Sequence, residues 1–227
     1  MSSLPILNLF STIQQVDFSK LLAARNYLVI AGQIIFEKDG NIVMTTIDED
    51  RTDFTVDDYM ALPKNAPYEL LNGKLHYMPS PFRKHQIVSM NLSAALHFHV
   101  KKNKLGQVLA APMDVHFGKK NIVQPDIIFV SKNRKSILKK FVEGAPDFLV
   151  EILSYGTKDK DFGEKKALYG KKGVLEYWVI DPDTETVEVF KAHKKTLVTH
   201  KKYNQKDTVK SLTIQDFKIA VSDIFEE

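Results

Sequence analysis

Two apolar, strand-like runs each contain one acidic residue at an interior position, where a sheet interior normally carries Val or Ile. The first run spans residues 123–130 and contains Asp126; the second spans residues 147–154 and contains Glu151. Side chains alternate between the two faces of a strand, so each carboxylate shares its face with apolar neighbours. Both faces of both runs are largely apolar, which is the pattern of central strands that are covered on each side.

An ionised carboxylate in such a strand is costly unless it is paired or coordinates a cation. If the two strands are neighbours, their spacing of about 4.8 Å brings Asp126 and Glu151 together. Like charges that close cannot both ionise without a cation, and oxygen ligands favour Mg²⁺ or Mn²⁺ over zinc. The alternative for Asp126 is a strand-end residue that caps a turn; the four apolar residues that follow it favour a place inside the sheet.

Composition excludes several classes of protein. The chain has 227 residues, of which 44% are hydrophobic and 26% charged, as in an ordinary globular protein with one substantial core. There is no cysteine, so disulfides, zinc–thiolate sites and a thiol nucleophile are excluded. The first residues lack the features of a signal peptide, and the apolar run at 28–36 is too short to span a membrane. We therefore expect a cytoplasmic protein.

The charge balance is mildly basic, with a net charge of +4 and a pI near 9.0. Many lysines occur in pairs, and for any single pair a solvated loop end is the simpler interpretation. Taken together, the pairs could form a basic face for nucleic acid if they converge in the fold.

The pattern of apolar runs and turn residues divides the chain at residue 50. Residues 1–50 are interpreted as an N-terminal extension, with a helix within 4–28 and a β-hairpin that turns at Asp39-Gly40. In the second part, residues 51–227, Thr55 and Asp58 predict the capped start of a short helix, and Asn72-Gly73 predicts a hairpin. Apolar spacing and turn residues then predict a mixed α/β fold with helices over 82–104, near 136–142 and over 158–172, and strands over 107–111, 114–117, 174–180, 186–190 and 196–200.

Other polar residues are candidates for the same site. Glu69 lies in an apolar hairpin strand, where an edge-strand Glu facing water is an equal alternative. Lys165 shares one helix face with Asp161 and Tyr169 at i, i+4, i+8 spacing, although most lysines on polar helices are simply solvated. His85, near the start of the long helix, is a candidate supporting residue and could instead be a capping or packing histidine.

Other catalytic chemistries have no support in the sequence. The chain contains no G-x-S-x-G, no phosphate-binding Gly-rich loop and no H-E-x-x-H motif. No nucleophilic residue is therefore a candidate for covalent catalysis.

From about residue 54 to residue 227, the chain resembles the PD-(D/E)XK nuclease superfamily and, more closely, the Uma (Uma-two) restriction endonuclease family. No single motif is specific, but their order and spacing together are. The motifs that carry the resemblance are Tyr68-Glu69-Leu70-Leu71-Asn72-Gly73, His85, Gln124-Pro125-Asp126, Val150-Glu151-Ile152-Leu153-Ser154, Asp161-Phe162-Gly163-Glu164-Lys165 with Tyr169, and residues 173–181.

The resemblance implies a restriction-endonuclease-like core with a mixed central sheet, in which Asp126 and Glu151 are metal ligands and Glu69 is a further acidic residue. The superfamily's lysine normally lies two residues after the strand acid, but that position is Leu153 in this chain. The lysine would then come from the next helix, as Lys165. The supporting residues would be His85, Gln124, Asp161 and Tyr169.

These observations predict a Mg²⁺- or Mn²⁺-dependent endonuclease that hydrolyses phosphodiester bonds in DNA. The main alternative is a catalytically degenerate protein that kept the fold and binds nucleic acid or assembles with partners. An RNA or nucleotide hydrolase using the same residues is a third possibility. A homodimer is the simplest way to cut both strands with one site per chain.

Overall fold

The computed structural model describes residues 27–30, 33–38, 41–46, 51–64, 66–154 and 156–227. Strands β1 (Tyr27–Ile30), β2 (Gln33–Lys38) and β3 (Asn41–Thr46) form an antiparallel sheet. Lys38 pairs with Asn41, so the strands on both sides of the predicted Asp39-Gly40 turn are confirmed. The helix predicted within residues 4–28 lies outside the described residues except at its last two positions, which belong to β1. The predicted boundary at residue 50 stays a prediction.

A six-stranded sheet forms the centre of the fold, in the order β14-β13-β12-β11-β9-β6. All its neighbouring strands are antiparallel except β11 and β12, so the sheet is mixed, as predicted. Its strands are β6 (Gly106–Ala110), β9 (Ile127–Ser131), β11 (Phe148–Ile152), β12 (Glu176–Asp181), β13 (Thr186–His193) and β14 (Thr196–Tyr203).

A five-stranded sheet packs against one face of the central sheet, in the order β10-β7-β8-β4-β5. Its strands are β4 (Tyr68–Leu71), β5 (Lys74–Tyr77), β7 (Val115–His116), β8 (Ile122–Val123) and β10 (Val142–Glu143). Asn72 and Gly73 both have positive φ at the β4–β5 turn, which confirms the predicted Asn-Gly hairpin. A short pair, β15 (Thr208–Lys210) and β16 (Lys218–Ala220), follows the central sheet.

The helices are short except for α2 (Arg83–Lys102). The others are α1 (Val56–Met60), a 3₁₀ turn (Lys132–Ile137), α3 (Lys158–Lys160), a π-helical turn (Asp161–Lys165), α4 (Lys166–Lys172) and α5 (Val221–Phe225). The predicted cap of α1 is present, because the Thr55 side chain accepts from the Asp58 backbone N–H and Asp58 accepts from the Thr55 N–H. Among the described residues, no helix combines the length and apolar character that a membrane crossing requires.

Each face of the central sheet is covered by its own hydrophobic core. On one face, α2 buries four residues at i, i+4 spacing, Val88, Leu92, Leu96 and Val100, against β9, β11 and β12. On the other face, Leu149 of β11 and Val179 of β12 pack with the five-stranded sheet and α4. Each fully buried aliphatic side chain contributes about 1.5–3 kcal/mol of burial free energy, so both layers hold the central strands firmly.

The apolar run at 123–130 is two strands rather than one. β8 ends at Val123 in the five-stranded sheet, β9 begins at Ile127 in the central sheet, and Gln124, Pro125 and Asp126 cross between them. Pro125 has no N–H to donate to a strand ladder, which favours a break at this point. Asp126 therefore lies at the start of a strand, and the prediction that placed it inside the sheet was wrong.

Other predicted boundaries also differ from the structure. The short helix predicted near 136–142 is the 3₁₀ turn at Lys132–Ile137, and β14 continues to Tyr203, beyond the predicted end of that strand at residue 200. The helical segment predicted over 158–172 does end at Lys172, and Gly173, with a φ of 91°, forms its left-handed end, while Gly170 lies inside α4.

Candidate active site

Asp126 and Glu151 lie on neighbouring elements, which is the condition on which the predicted metal pair depended. β9 and β11 pair antiparallel with Ile127 opposite Val150, which places Asp126 beside the end of β11 that carries Glu151. The Ile152 backbone N–H donates to Asp126 Oδ2 at 2.7 Å. Leu149 and Leu153 belong to the core between the two sheets, so strand alternation points Glu151 to that same side.

The side chain of Lys165 points toward the core between the two sheets and contacts three carboxylates. Its Nζ lies 3.0 Å from Glu69 Oε1, 3.1 Å from Glu151 Oε1 and 3.7 Å from Asp161 Oδ1. All four residues are at most 5% exposed. Lys165 therefore points into the site, and the alternative of a solvent-exposed lysine is excluded.

The helical segment over residues 158–172 presents Asp161, Lys165 and Tyr169 on its buried side. In a regular α-helix, side chains eight residues apart are rotated by about 80° around the axis. The π-helical turn over Asp161–Lys165 is wider and turns less per residue, which offsets that rotation. The irregular turn thus lets all three side chains face the sheet.

Two buried tyrosines hold this cluster. Tyr169 Oη donates to Glu151 Oε1 at 2.5 Å, and Tyr177 Oη donates to the Asp161 backbone carbonyl at 3.1 Å. Both rings are fully buried and contact each other edge to face, with centroids 5.2 Å apart. Tyr169 therefore packs in the core and also orients Glu151.

Glu69 faces the interior rather than water. β4 is an inner strand of the five-stranded sheet, between β8 and β5, and the Glu69 residue is 2% exposed. Glu69 Oε1 accepts from the Gln124 backbone N–H at 2.7 Å as well as from Lys165. The alternative of an edge-strand Glu is excluded by this geometry.

The buried charges shift one another's ionisation. Burial raises the pKa of Glu151, with further increases from Asp161 and Glu69, although Lys165 opposes the shift. Burial also raises the pKa of Asp161 against the same opposing ammonium. Burial alone would lower the pKa of Lys165, but the charges of Glu151, Glu69 and Asp161 outweigh it and raise that pKa. Lys165 therefore remains an ammonium ion at neutral pH.

His85 lies at the first turn of α2, beside Asp126. Its Nε2 is 3.2 Å from Asp126 Oδ1, and its Nδ1 is buried without a hydrogen-bond partner among the described residues. Burial would lower the pKa of His85, but the hydrogen bond and charge of Asp126 outweigh it and raise that pKa. His85 thus orients one carboxylate of the site, and its supporting role in the reaction stays a prediction.

Gln124 supports the site through its backbone alone. Its side-chain amide donates to Asp114 Oδ1 at 2.8 Å and to Tyr59 Oη at 3.3 Å, away from the carboxylate cluster. Tyr59 Oη also donates to Asp114 at 3.1 Å. Asp114 and Tyr59 were missed in the sequence, because an acidic residue before a short strand and a Tyr in a capped helix resemble ordinary surface positions.

These residues line one open cleft of about 890 Å³. The cleft contains Glu69, His85, Asp126, Glu151, Asp161 and Lys165, and also the network of Tyr59, Asp114 and Gln124. In the described part of the chain, no three His, Asp or Glu side chains converge in a geometry that would hold a metal ion by themselves. Any ion in the cleft would therefore have to complete its coordination with water or substrate oxygens.

A family model described as "Uma2: Putative restriction endonuclease" matches residues 56–222. The chain belongs to the Uma2 family. This match covers the hairpin, both acidic strands and the lysine-bearing helix, so the resemblance found in the sequence is confirmed.

The fold of this Uma2 chain is similar to that in the crystal structure of a "putative nuclease belonging to DUF820" from Anabaena variabilis ATCC 29413. The TM-score is 0.65 at 23% identity, over 76% of this chain and 97% of the other. That likeness confirms the predicted restriction-endonuclease-like fold. No curated protein matches the chain.

Proposed function

We propose that this Uma2 protein is a metal-dependent endonuclease that hydrolyses phosphodiester bonds in DNA. Membership of the family supports nuclease activity at a coarse level. The observation that carries the proposal is the convergence of Lys165 with Glu151 and Glu69, in the cleft that Asp126 also lines. Four elements that are distant in the sequence supply these residues, which is the arrangement of a catalytic site rather than of a local ion pair.

The residues of the cleft fit one Mg²⁺ or Mn²⁺ ion. Four carboxylates, Glu69, Asp126, Glu151 and Asp161, lie in this cleft, and among the described residues Lys165 and His85 are the cationic side chains in contact with them, which leaves surplus negative charge in a largely buried place. Among the described residues, both hydrogen bonds of the Glu151 side chain end on Oε1, which leaves Oε2 to a metal ion. Mg²⁺ commonly takes one or two protein carboxylates plus water and phosphate oxygens, so Asp126 and Glu151 suffice as ligands. When bound, the ion would polarise the scissile phosphate and lower the pKa of an attacking water.

The chain's own residues orient and balance these groups. Because its pKa is raised, Lys165 acts as a fixed positive charge that stabilises the negative charge of the transition state, and not as a base. Glu69 and Tyr169 position Lys165 and Glu151 by direct hydrogen bonds. His85 and the Ile152 N–H hold the two oxygens of Asp126. The catalytic groups are therefore preorganised before substrate binds.

DNA is the proposed substrate because the cleft combines this site with basic residues. Lys64, Lys140 and Lys160 line the same cleft and would contact the phosphate backbone. Cleavage of both strands would require a second site, so a homodimer is part of the proposal. Light scattering of the protein with and without duplex DNA tests for this dimer.

The decisive experiment is plasmid cleavage in Mg²⁺, Mn²⁺ or EDTA. We expect metal-dependent nicking that Asp126→Asn, Glu151→Gln and Lys165→Met each reduce by about 100-fold or more, since each removes charge stabilisation from the reaction. Asp159→Asn, at an exposed position in the same helical segment as Lys165, is the control and should cleave normally. Salt-sensitive DNA binding without cleavage, unaffected by the three site variants, would favour the degenerate binding protein instead.

A further inference from the structure

The cleft has a wall that the proposed hydrolysis does not use. Its residues are apolar side chains with little polar character, Met60, Pro63, Pro67, Tyr77, Pro79 and Pro81. Tyr77 is 55% exposed and Met60 is 46% exposed. An open aromatic ring that lines the same cleft as the buried carboxylates offers a surface to a ligand with an apolar face.

This wall is held in place before any ligand binds. Tyr77 pairs with Tyr68 across the β4–β5 hairpin, and the two rings meet edge to face with centroids 5.7 Å apart. The Met78 N–H donates to the Pro67 carbonyl at 2.8 Å, which ties together the two proline-containing segments. Because prolines also fix their own backbone φ, the wall forms a rigid platform rather than a loose loop.

The apolar wall has no complement on the backbone of intact duplex DNA, which presents phosphates and sugars at the scissile bond. An unpaired base, by contrast, has an apolar π face that stacks on aromatic side chains. Lys64 and Lys160 line the same cleft and can contact phosphates that flank such a base. The combination of aromatic platform and nearby cations is that of a binding site for an unstacked nucleotide.

We propose that the cleft binds an unpaired DNA base stacked on Tyr77, so that the substrate is single-stranded or locally unpaired DNA. This inference rests on the proposed function, because it names the substrate class of the same site. It assigns Tyr77 as a substrate-binding residue outside the carboxylate cluster.

The test uses oligonucleotides with one 2-aminopurine, whose fluorescence reports stacking, bound to the full chain in EDTA and again in Ca²⁺. The substrates are a single strand, the matched duplex and a duplex with a short unpaired loop. The variants are Tyr77→Ala, Tyr77→Phe, which keeps the stacking ring, and Phe98→Ala, which removes another exposed ring, on the part of α2 outside the cleft. Thermal unfolding of each variant checks that the hairpin still folds.

We expect the parent to bind the single strand and the looped duplex more tightly than the matched duplex, with quenching of 2-aminopurine. Tyr77→Ala should weaken the binding of unpaired substrates by about 5- to 150-fold, the range for loss of one base–aromatic stack. Tyr77→Phe and Phe98→Ala should bind as the parent does. If Tyr77→Ala does not fold, loss of quenching in Tyr77→Leu tests the same contact.

Equal affinity of the parent for matched duplex and single strand, or no effect of Tyr77→Ala, would overturn this inference. Metal-dependent cleavage of duplex plasmid under those circumstances would leave the nuclease proposal intact. Tyr77-dependent binding of unpaired DNA without any cleavage would support the base-binding cleft and contradict the nuclease. Absence of binding to every DNA would overturn the inference as well.

Discussion

Lys165 is the residue on which the charge balance of the cleft depends. It is the one ammonium within contact distance of Glu69, Glu151 and Asp161 among the described residues. Removal of one partner from a buried ion pair leaves the other charge uncompensated, which costs more than the pair itself contributes. Lys165 therefore has a structural role in addition to its proposed catalytic role.

Lys165→Met should lower the free energy of unfolding by about 3–5 kcal/mol, because three carboxylates then remain buried without a counter-charge. Glu69→Gln in the same chain removes one of those charges. The double variant should therefore lose less free energy of unfolding than the sum of the losses in the two single variants. Urea unfolding of both single variants and the double variant measures this coupling. Strict additivity would show that Lys165 and Glu69 do not interact in solution.

His116 is a second residue whose surroundings set its ionisation. It lies on β7 with its ring stacked on Phe141 at 4.7 Å, and its Nε2 is buried without a partner among the described residues. Burial lowers the pKa of His116 below 6.5, although Asp114 and Glu143 oppose the shift. The neutral form is thus favoured in the folded chain.

Because the unfolded chain binds a proton at His116 more readily, the free energy of unfolding should fall as the pH drops from above 6.5 toward the lower folded pKa. His116→Gln has no ionisable ring, so its stability should fall less steeply between pH 7.5 and 5.5. Urea unfolding of parent and variant at both pH values makes the comparison. Identical slopes would place His116 in contact with water.

The helical segment over 158–172 places three site residues, and its two glycines serve different purposes. A Cβ on Gly170 would lie 2.8 Å from backbone atoms of Thr196 and Leu197, whereas a Cβ on Gly163 would meet nothing within 4 Å. Gly170 therefore permits the close approach of α4 to β14 that buries Tyr169. Gly163 has no such role.

Gly170→Ala should destabilise the chain by about 1–3 kcal/mol through overpacking, despite the higher helix propensity of Ala. Gly163→Ala, in the same segment, should stabilise it by about 0.5–1 kcal/mol, because Ala loses less backbone freedom on folding. Thermal unfolding of the matched pair measures both signs. Stabilisation by both substitutions would mean that α4 does not pack closely on β14.

The whole molecule assembles the site where the two sheets meet. The β4–β5 hairpin supplies Glu69, the crossing between β8 and β9 supplies Asp126, β11 supplies Glu151 and the following helix supplies Lys165. Four acidic side chains in one cleft repel one another, so the folded chain should bind a divalent cation more tightly than the unfolded chain does.

Mg²⁺ or Mn²⁺ at about one hundred times its Kd should stabilise the fold by about 2.7 kcal/mol and raise Tm by roughly 5–10 °C for a chain of this size. Asp126→Asn and Glu151→Gln should each abolish that increase, whereas Asp159→Asn should retain it. Differential scanning fluorimetry with a metal titration measures the effect without any dependence on catalysis. An equal increase in all variants would exclude a metal site at this pair.

Features that depend on neighbours along the chain were predictable. Thr55 with Asp58 predicted the start of α1, Asn72-Gly73 predicted the β4–β5 hairpin, and the spacing of apolar residues predicted α2. The i, i+4 spacing also indicated that Asp161 and Lys165 share a face. The break at Pro125 and the extent of β14 were missed, because strand ends depend on partner strands that lie far away in the sequence.

The amino-acid order determined which residues could enter the site, since a carboxylate within an apolar strand is costly wherever that strand packs. Tertiary packing decided which of them meet. Lys165 and Glu69 are 96 residues apart, and only the stacking of the five-stranded sheet on the central sheet brings them to 3.0 Å. The same packing turned Gln124 toward Asp114 and made Lys165 an ion shared by three carboxylates, because charge and burial at a site are set by everything that surrounds it.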